Sequence, residues 1–263
     1  MKISIVTASY NSGDTLRDTI ESVLRQTYSD IEYIIVDGAS HDGTMDIVRE
    51  YEPRFGGRLR WVSEPDSGIY DAMNKGLAMA TGDVVGILNS DDFYTADDIL
   101  ARVAEAMADK NTDAVYGDIH FVDGGNLGEC VRYYSSRFFA PWMMLMGYQP
   151  AHPSFYCRRE CYCRYGDFDT SMRVAADFEH MLRLIYVNRI RTRYLPLDFV
   201  TMRMGGASTN GLGSHRRIIA DHHRAFAKHR LRMGYVLDFM RYPCKLAEVA
   251  LYKLRSLLAA RQK

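Results

Sequence analysis

The fold is decided by the segment Thr81-Gly82-Asp83-Val84-Val85-Gly86-Ile87-Leu88-Asn89-Ser90-Asp91-Asp92. Its central part, 84–88, is a short apolar run opened by a Gly-Asp turn, which predicts a buried strand. Polar residues follow at once and include two adjacent carboxylates, Asp91 and Asp92. Ligands of open α/β sheets bind at the carboxyl ends of the strands. The segment therefore predicts a polar ligand site at a sheet edge.

The two adjacent carboxylates have two readings. Asp91 and Asp92 repel each other, and burying them without a cation is costly. Oxygen ligands suit Mg²⁺ or Mn²⁺, which usually also bind substrate phosphate oxygens. This reading predicts a divalent-metal site at Asp91 and Asp92. The alternative is that one of them caps the next helix, since Ser and Asp are favourable N-terminal caps.

Composition is that of a globular protein with an uneven charge distribution. The 263 residues are 47% hydrophobic and 25% charged, with a formal net charge of zero. A chain of this length can bury a full core. Residues 213–263, however, carry 12 Lys and Arg against 3 Asp and Glu, so the remainder is net acidic. A basic tail of this kind indicates a polyanionic partner, either a nucleic acid or an anionic membrane surface.

The sequence offers no secretory or membrane-spanning signal. Met1-Lys2 leads directly into a short strand, and no window approaches the roughly 18 apolar residues of a spanning helix. Three of the five cysteines cluster at Cys157, Cys161 and Cys163, without the two-residue gap of common zinc sites. We expect reduced thiols and a cytoplasmic protein.

Residues 3–122 alternate between strand and helix patterns, which predicts a mostly parallel sheet with helices on both faces. Beyond residue 123 the alternation ends. We predict a helix over Arg173–Tyr186, a strand over Phe199–Met204, and a basic helical region from Ser214, in which His222 and His223 are solvated. The predicted domains are a catalytic domain, 1–212, made of halves 1–123 and 124–212, and a basic helical tail, 213–263.

Polar residues also follow the first three predicted strands, at 7–11, 37–40 and 64–68. Neither a dinucleotide-binding glycine motif nor a P-loop is present. An aromatic residue and an acid at this edge suit a nucleotide base stacked on Tyr10 and hydrogen-bonded by Asp37. Taken singly, Tyr10 and Asn11 are equally consistent with ordinary turn chemistry.

Together these segments resemble the family 2 glycosyltransferases, inverting enzymes of GT-A fold that use nucleotide-diphospho-sugars. The resemblance runs from Lys2 to about Arg183 and is most specific at 36–43, 63–82 and 88–93. It implies a metal, Mn²⁺ or Mg²⁺, at Asp91 and Asp92. It implies donor contacts from Thr7, Ser9, Tyr10, Asn11, Asp37, Asp66, Asn74, Lys75, Ser90 and Asp91. The sequence departs from the family at Gly38 and Asn89, where the family often has Asp.

The segment Val174-Ala175-Ala176-Asp177-Phe178-Glu179-His180 resembles the part of the family that supplies the catalytic base, and this assigns the role to Asp177. Without the resemblance, Asp177 would be read as a cap or surface acid on an amphipathic helix. His152-Pro153-Ser154-Phe155 also matches the family and implies that His152 and Ser154 lie on the acceptor side.

The expected reaction transfers a sugar from a nucleotide-diphospho-sugar to a saccharide hydroxyl. A carboxylate takes the hydroxyl proton, and the leaving nucleoside diphosphate is stabilised by the metal and by cations such as Lys75. Single displacement with inversion needs no covalent nucleophile. Two other classes fit the same sheet edge: a nucleotidyltransferase, and a non-catalytic protein that binds nucleotide-sugars or nucleic acid.

The end of the tail bears on the acceptor. In Lys245–Arg261, apolar residues share one helical face and charged residues the other, which is typical of a helix lying on anionic lipid. Packing on the catalytic domain or on a second subunit is the alternative. The tail lacks the interleaved aromatics of single-strand binders, so we expect no nucleic-acid partner. A membrane-surface enzyme of this family would act on a lipid-linked sugar in polysaccharide assembly.

Overall fold

The structure is a computed structural model that describes residues 1–205 and 212–238. Its strands are β1 (Ile3–Ser9), β2 (Ile31–Asp37), β3 (Leu59–Ser63), β4 (Val84–Ile87), β5 (Phe93–Tyr94), β6 (Ala114–Asp123), β7 (Asn126–Tyr134), β8 (Tyr156–Arg158) and β9 (Thr192–Arg203). Its helices are α1 (Leu16–Leu24), α2 (Thr44–Tyr51), α3 (Ile69–Met79), α4 (Ile99–Met107), α5 (Arg159–Tyr165), α6 (Ala176–Met181), α7 (Leu212–Lys228) and α8 (Arg232–Leu237). Short 3₁₀ turns cover Glu52–Phe55, Pro141–Met146 and His152–Ser154.

All strands belong to one sheet, in the order β3-β2-β1-β4-β8-β6-β9-β5, with β7 paired to β6. The first four strands run parallel, as the βα alternation predicts. Side chains of β1 alternate between two apolar clusters: Ile3 and Ile5 enter one, Val6 and Ala8 the other. Helices cover both faces, which explains why these strands read as nearly continuous apolar runs. The predicted α/β architecture, of the kind shared by GT-A enzymes, is confirmed.

The second half extends the same sheet with mixed directions. β8 runs antiparallel to both β4 and β6, and so joins the two halves. β6 and β9 are long parallel neighbours, and β7 returns antiparallel beside β6. β5 was not predicted from sequence, because a two-residue strand has no periodicity of its own; it pairs with the end of β9.

Two predicted elements differ in extent. The helix expected over Arg173–Tyr186 begins only at Ala176 and continues after Met181 as a π-helical turn over Leu182–Val187. The strand expected over Phe199–Met204 begins seven residues earlier, at Thr192. Its first part was missed because Pro196 lies inside it, and proline usually argues against a strand interior.

The prediction that His222 is solvated is wrong. His222 is 4% exposed, and its ring stacks on that of Phe178 with a centroid separation of 3.8 Å. Its Nδ1 lies 2.8 Å from Asp238 Oδ1. The neighbouring His223 is partly buried against Tyr235, at 5.0 Å between ring centroids. α7 therefore packs its inner face on α6, although its composition is basic.

Most of the tail lies outside the described residues. This holds for the amphipathic segment Lys245–Arg261, so its membrane and subunit readings stay predictions. The boundary at residue 212 also stays a prediction; the part of the tail that the structure describes, 213–238, packs on the 124–212 half, where α7 contacts α6 and α8 contacts the turn Pro141–Met146. Within the described ranges, no helix is long and apolar enough to cross a membrane. Cys157, Cys161 and Cys163 are free thiols.

Candidate active site

A cavity of about 800 Å³ opens at the carboxyl edge of the parallel strands. It lies between the loops after β1 and β4 on one side and the 147–153 and 173–178 segments on the other. Eight of the residues predicted from sequence line it: Ser9, Tyr10, Asn11, Asp66, Ser90, Asp91, His152 and Asp177. The rule that ligands bind at strand ends thus located the cavity correctly.

Hydroxyl groups connect the loops after β1 and β4, which carry predicted donor contacts. The Ser12 and Ser90 Oγ atoms lie 2.8 Å apart, and Thr15 Oγ1 donates to the Ser90 carbonyl at 2.9 Å. Asn11 adopts a left-handed conformation with φ of 48°, which asparagine tolerates better than most residues. The backbone amide of Asn11 donates a hydrogen bond to Ser40 Oγ at 2.7 Å. These hydrogen bonds hold the loop after β1 beside the segment 89–92. The Tyr10 side chain is 61% exposed and lines the cavity.

Three predicted donor residues bind other parts of the protein. The buried Thr7 donates to the Leu88 carbonyl at 2.6 Å, and so joins β1 to the segment after β4. Asn74 makes a reciprocal pair with the backbone of Phe168, at 2.9 Å each way. The Lys75 ammonium pairs with Glu64 at 2.9 Å. These residues hold the walls of the cavity together.

Asp37 is also fully buried. Its carboxylate accepts hydrogen bonds from the Ser40 amide at 2.9 Å and from Ser63 Oγ at 2.7 Å. Ser154, predicted on the acceptor side, is buried as well and donates to the Gly117 carbonyl at 3.0 Å. Through these hydrogen bonds, Asp37 and Ser154 stabilise loops that carry cavity-lining residues.

Asp91 and Asp92 differ sharply in environment. Asp91 lines the cavity; burial raises the pKa of its carboxyl, and the charge of Arg203 partly offsets this. Asp92 is fully buried, and its Oδ2 accepts a hydrogen bond from Asn89 Nδ2 at 3.2 Å. Burial first, and the charge of Asp91 second, raise the pKa of Asp92 well above its usual range. Of the two, Asp91 lines the cavity, while Asp92 lies outside the lining with its Oδ1 buried and without a hydrogen-bond partner among the described residues.

The residues around Asp91 fit a hard divalent cation that also binds a diphosphate. Among the described residues no group of three or more His, Cys, Asp and Glu could hold a metal alone. Asn89 Oδ1, however, is buried without a hydrogen-bond partner in the described chain, and Asn89 lines the cavity beside Asp91. One or two protein oxygens plus substrate phosphates is the usual Mg²⁺ arrangement. Asp91 and Asn89 match it.

A cation missed by the sequence analysis stands next to this site. Arg203, at the end of β9, donates from Nη1 to the Asp91 carbonyl at 2.6 Å and pairs through Nη2 with Asp18. Its guanidinium lies over the Phe93 ring, 5.1 Å from the centroid. Arg203 lines the cavity, so a fixed positive charge lies beside Asp91 in its wall.

Asp177 is held in place by two neutral hydrogen-bond donors. Gln149 Nε2 donates to Oδ2 at 3.0 Å, and the Tyr70 hydroxyl shares its single proton between Oδ1, at 3.1 Å, and the Val174 carbonyl, at 2.7 Å. Burial, and then the charge of Asp177, raise the pKa of Tyr70 well above its usual range, so the phenol stays protonated. The carboxylate is thus fixed in orientation, and it lines the cavity.

The helix that carries Asp177 is capped by another helix. α6 begins after Ala175 without a side-chain cap of its own. Asp221 of α7, 3% exposed, accepts hydrogen bonds through Oδ2 from the amides of Val174 at 3.0 Å and Ala175 at 3.2 Å. Amides at a helix N-terminus need such partners, and the helix dipole favours an anion there.

Further along α6, Glu179 is buried among Arg183, Lys228 and His229. Its Oε1 lies 2.7 Å from His229 Nε2 and 3.2 Å from Lys228 Nζ, and its Oε2 lies 3.2 Å from Arg183 Nη2. Burial alone would raise the pKa of Glu179, but the His229 hydrogen bond and the charges of Arg183 and Lys228 outweigh it and hold the pKa at about 2. Glu179 thus joins α6 to the end of α7.

His152 faces the cavity near Asp177. Burial lowers the pKa of its imidazole, and the negative charge of Asp177 partly opposes this. The lowered pKa favours a neutral ring at neutral pH, able to donate or accept a hydrogen bond.

Four residues of the site were not predicted from the sequence: Tyr70, Gln149, Arg203 and Asp221. Tyr70 fits the apolar face of α3, and Gln149 stands in an irregular segment. Asp221 belongs to a helix whose overall charge suggested a solvated surface. Only Arg203, at the exit of a strand, follows the rule that located the other residues.

A family model described as "Glycosyl transferase family 2" matches residues 4–171. An uncharacterized glycosyltransferase of Mycobacterium tuberculosis is 32% identical over 220 residues, which cover 81% of this chain and 78% of the relative. A Mycobacterium bovis protein described as a PGL/p-HBAD biosynthesis glycosyltransferase is 30% identical over 208 residues, which cover 79% of this chain and 78% of the relative.

Solved structures share the fold at low sequence identity. Staphylococcus aureus TarS 1–349 in complex with UDP-GlcNAc matches with a TM-score of 0.67 and 17% identity, over 86% of this chain and 66% of that one. Against another TarS structure the match spans 39% of the TarS chain. The mannosyltransferase PcManGT of Pyrobaculum calidifontis, in complex with GDP-Man and Mn²⁺, matches with a TM-score of 0.64 and 19% identity, over 98% of this chain and 80% of that one.

The Glu179 cluster generates a pH-dependent prediction. A carboxyl whose folded pKa lies near 2 stabilises the fold fully above its ordinary pKa of 4.5, and loses that contribution as the pH falls towards 2. Glu179→Gln should therefore lower the free energy of unfolding at pH 7 by roughly 3 kcal/mol. Between pH 5 and 2.5 the difference from wild type should shrink.

Urea unfolding across this pH range measures the effect. Glu160→Gln, which changes an exposed glutamate of α5, is the matched control and should follow the wild-type curve. If the difference in free energy of unfolding between wild type and Glu179→Gln stays constant over this pH range, the Glu179 cluster does not stabilise the fold.

Proposed function

This chain belongs to glycosyl transferase family 2 and is a glycosyltransferase, and we propose that it transfers a sugar from a nucleotide-diphospho-sugar to an acceptor hydroxyl with inversion. One observation carries the proposal: the Asp177 carboxylate, fixed by Tyr70 and Gln149, lines the same cavity as Asp91. A base and a diphosphate site in one cavity are what single displacement requires.

Asp177 is the proposed general base. A sugar hydroxyl is a poor nucleophile, so its proton must move to a base as the oxygen attacks the anomeric carbon. Tyr70 and Gln149 both donate to the carboxylate, which leaves its remaining lone pairs for the acceptor hydroxyl. No covalent intermediate is needed.

The leaving group is the nucleoside diphosphate, which gains negative charge as the glycosidic bond breaks. We propose that Asp91 and Asn89 hold a divalent cation, Mn²⁺ or Mg²⁺, which when bound supplies charge neutralisation to the diphosphate. The Arg203 guanidinium, fixed beside the Asp91 carbonyl, is a second source of positive charge. Asp92 stabilises the 89–92 segment by accepting a hydrogen bond from the Asn89 side chain.

For the donor nucleotide, we propose that the base stacks on the exposed ring of Tyr10. Ser9, Asn11, Asp66 and Ser90 are the other candidate donor contacts, since all line the cavity. Thr7, Asp37, Asn74 and Lys75 are proposed to act indirectly, by holding these loops through the hydrogen bonds and ion pair described above.

The sugar is proposed to be a hexose or N-acetylhexosamine, and the acceptor a lipid-linked saccharide in surface polysaccharide assembly. The Mycobacterium bovis relative is described as a PGL/p-HBAD biosynthesis enzyme, and the structural neighbours hold UDP-GlcNAc or GDP-Man. His152 would contact the acceptor. Ser154 would position the backbone of His152. The basic tail, 213–263, supports a peripheral position on the cytoplasmic face of a membrane.

The two aspartates after β4 should respond differently to substitution. Asp91→Asn should abolish Mn²⁺-dependent binding of a nucleoside diphosphate, because it removes the only carboxylate that this segment presents to the cavity. Asp92→Asn should keep that binding within about threefold, because the amide resembles the protonated carboxyl that burial favours. Isothermal calorimetry with and without EDTA measures both. Equal losses in the two variants, or wild-type binding that ignores EDTA, would contradict the assignment.

Substitution of the proposed base should separate chemistry from binding. Asp177→Asn should lower turnover at least ~10²-fold, the usual scale of general-base catalysis, and leave nucleoside-diphosphate affinity unchanged. Nucleoside diphosphate release is followed across a panel of nucleotide-sugars and saccharide acceptors, with Glu160→Gln as control. Normal turnover of Asp177→Asn would assign the base elsewhere, and pyrophosphate release by wild type would indicate nucleotidyl transfer.

Membrane association should depend on charge. Wild type should sediment with vesicles of anionic lipid, remain free of neutral vesicles, and be released by about 0.5 M salt, which shortens the Debye length. Truncation after residue 238 removes six of the tail's 12 Lys and Arg together with the amphipathic segment, and should weaken binding strongly. Sedimentation with neutral and anionic vesicles alike, or with neither, would exclude an electrostatic anchor.

A further inference from the structure

Residue 38 is glycine, and its missing side chain brings a carboxylate and an aromatic ring together at the cavity. A Cβ atom on Gly38 would lie 2.5 Å from Asp66 Oδ2 and 3.3 Å from Cδ2 of the Tyr10 ring. The first distance is shorter than any normal contact, so the Asp66 carboxylate occupies the space that a side chain at position 38 would need. Asp66 and Tyr10 both line the cavity. A nucleobase stacked on Tyr10 would therefore have the Asp66 carboxylate beside its edge.

The Asp66 carboxylate is held by the turn that follows it and still has an unused oxygen. Oδ1 accepts a hydrogen bond from the Gly68 amide at 2.8 Å, and Gly68 has φ of 123°, a conformation that other residues rarely adopt. Lys75 Nζ donates to the Pro65 carbonyl at 2.9 Å, which fixes the backbone before Asp66. Within residues 1–205 and 212–238, no group donates a hydrogen bond to Oδ2. This oxygen, and the second lone pair of Oδ1, can accept hydrogen bonds from a ligand.

Asp37, which the sequence indicated as the partner of the nucleobase, has a different environment. It is fully buried, it is not among the residues that line the cavity, and its carboxylate accepts hydrogen bonds from neighbouring serines. The other aspartates that line the cavity, Asp91 and Asp177, occupy the proposed metal and general-base positions. The contact with the nucleobase therefore falls to Asp66, which is the one of them beside Tyr10.

A carboxylate beside the stacked ring can select the nucleobase. Stacking alone selects weakly, because every base has a face that an aromatic ring can bind. A carboxylate only accepts hydrogen bonds, so it needs donors on the edge of the base. Guanine presents two adjacent donors there, N1–H and the 2-amino group. In uracil, thymine, cytosine and adenine, the donor on this edge has an acceptor next to it, which a carboxylate repels.

We infer from this arrangement that the donor is a guanine nucleotide, whose N1–H and 2-amino group donate to the Asp66 carboxylate while the ring stacks on Tyr10. The inference rests on the proposed transfer from a nucleotide-diphospho-sugar and specifies the class of nucleotide. Gly38 is then a specificity-determining position, because any side chain there would displace the carboxylate from the edge of the base.

Nucleoside diphosphates that differ only in the base test this assignment. Affinities of GDP, ADP, CDP and UDP for the full chain are measured by calorimetry in the presence of Mn²⁺. GDP should bind at least about tenfold more tightly than the other three, which is the effect of one hydrogen bond to a charged acceptor. Inosine diphosphate lacks the 2-amino group and should bind about tenfold more weakly than GDP for the same reason.

Asp66→Asn should reverse the choice of base. The asparagine amide presents one donor and one acceptor, which matches xanthine, because xanthine has a carbonyl where guanine has its 2-amino group. Wild type should bind GDP at least about tenfold more tightly than xanthosine diphosphate, and the variant should prefer xanthosine diphosphate. A residue that only held the loop would affect both nucleotides alike. Asp46→Asn, at an exposed position of α2, is the matched control and should keep the preference for GDP.

Gly38→Ala tests the space beside the carboxylate. The added Cβ should displace the end of the Asp66 side chain and lower the preference for GDP over UDP at least about tenfold, with little change in melting temperature. Gly43→Ala is the matched control, because a Cβ on Gly43, at the end of the same turn, meets no atom within 4 Å. It should keep the wild-type preference.

The inference is overturned if ADP, CDP or UDP binds as tightly as GDP, if inosine diphosphate equals GDP, or if Gly38→Ala keeps the preference of Gly43→Ala. It is also overturned if Asp66→Asn still prefers GDP to xanthosine diphosphate, or loses all nucleotides equally. Wild type that binds and turns over a donor with another base would remove the guanine assignment and leave the proposed sugar transfer intact. Wild type that binds no nucleoside diphosphate would contradict both.

Discussion

The position of Asp177, the proposed base, depends on a helix cap supplied from a distant part of the chain. α6 begins at Ala176 with no polar side chain of its own at the cap, and Asp221 of α7 accepts the hydrogen bonds of the two preceding amides. The Tyr70 hydroxyl binds the Val174 carbonyl at 2.7 Å in the same turn. Because Asp177 is the second residue of this helix, its location in the cavity follows from where these partners hold the helix start.

The same interface buries several charges that need one another. Glu179 would be costly to bury alone; Lys228 at the α7 end and Arg183 supply compensating positive charge, and His229 supplies a hydrogen bond. The stacking of His222 on Phe178 fills the space between these polar contacts. α7 is therefore a structural part of the catalytic half, although its sequence reads as the start of a basic tail. A polar interface of this kind specifies one docking position more strictly than an apolar one.

Sequence patterns predicted the parallel half of the fold well, because the strands are short apolar runs and the helices have clear apolar faces. They also located the cavity, since polar residues at four strand ends converge on one sheet edge. Asp177 came from the family resemblance. Its partners Gln149 and Tyr70 lie 28 and 107 residues away, and no local pattern records such contacts. His222 was misread because charge composition describes a helix as a whole, while burial depends on the one face that meets Phe178.

The central claim is that one carboxylate, Asp177, activates the acceptor and that no covalent sugar intermediate forms. The most direct test is the anomeric configuration of the product, read from the proton coupling constants of the new glycosidic bond by NMR during the first turnovers. Direct displacement predicts the configuration opposite to that of the donor. A product that retains the donor configuration would contradict it, because retention cannot arise from one direct displacement.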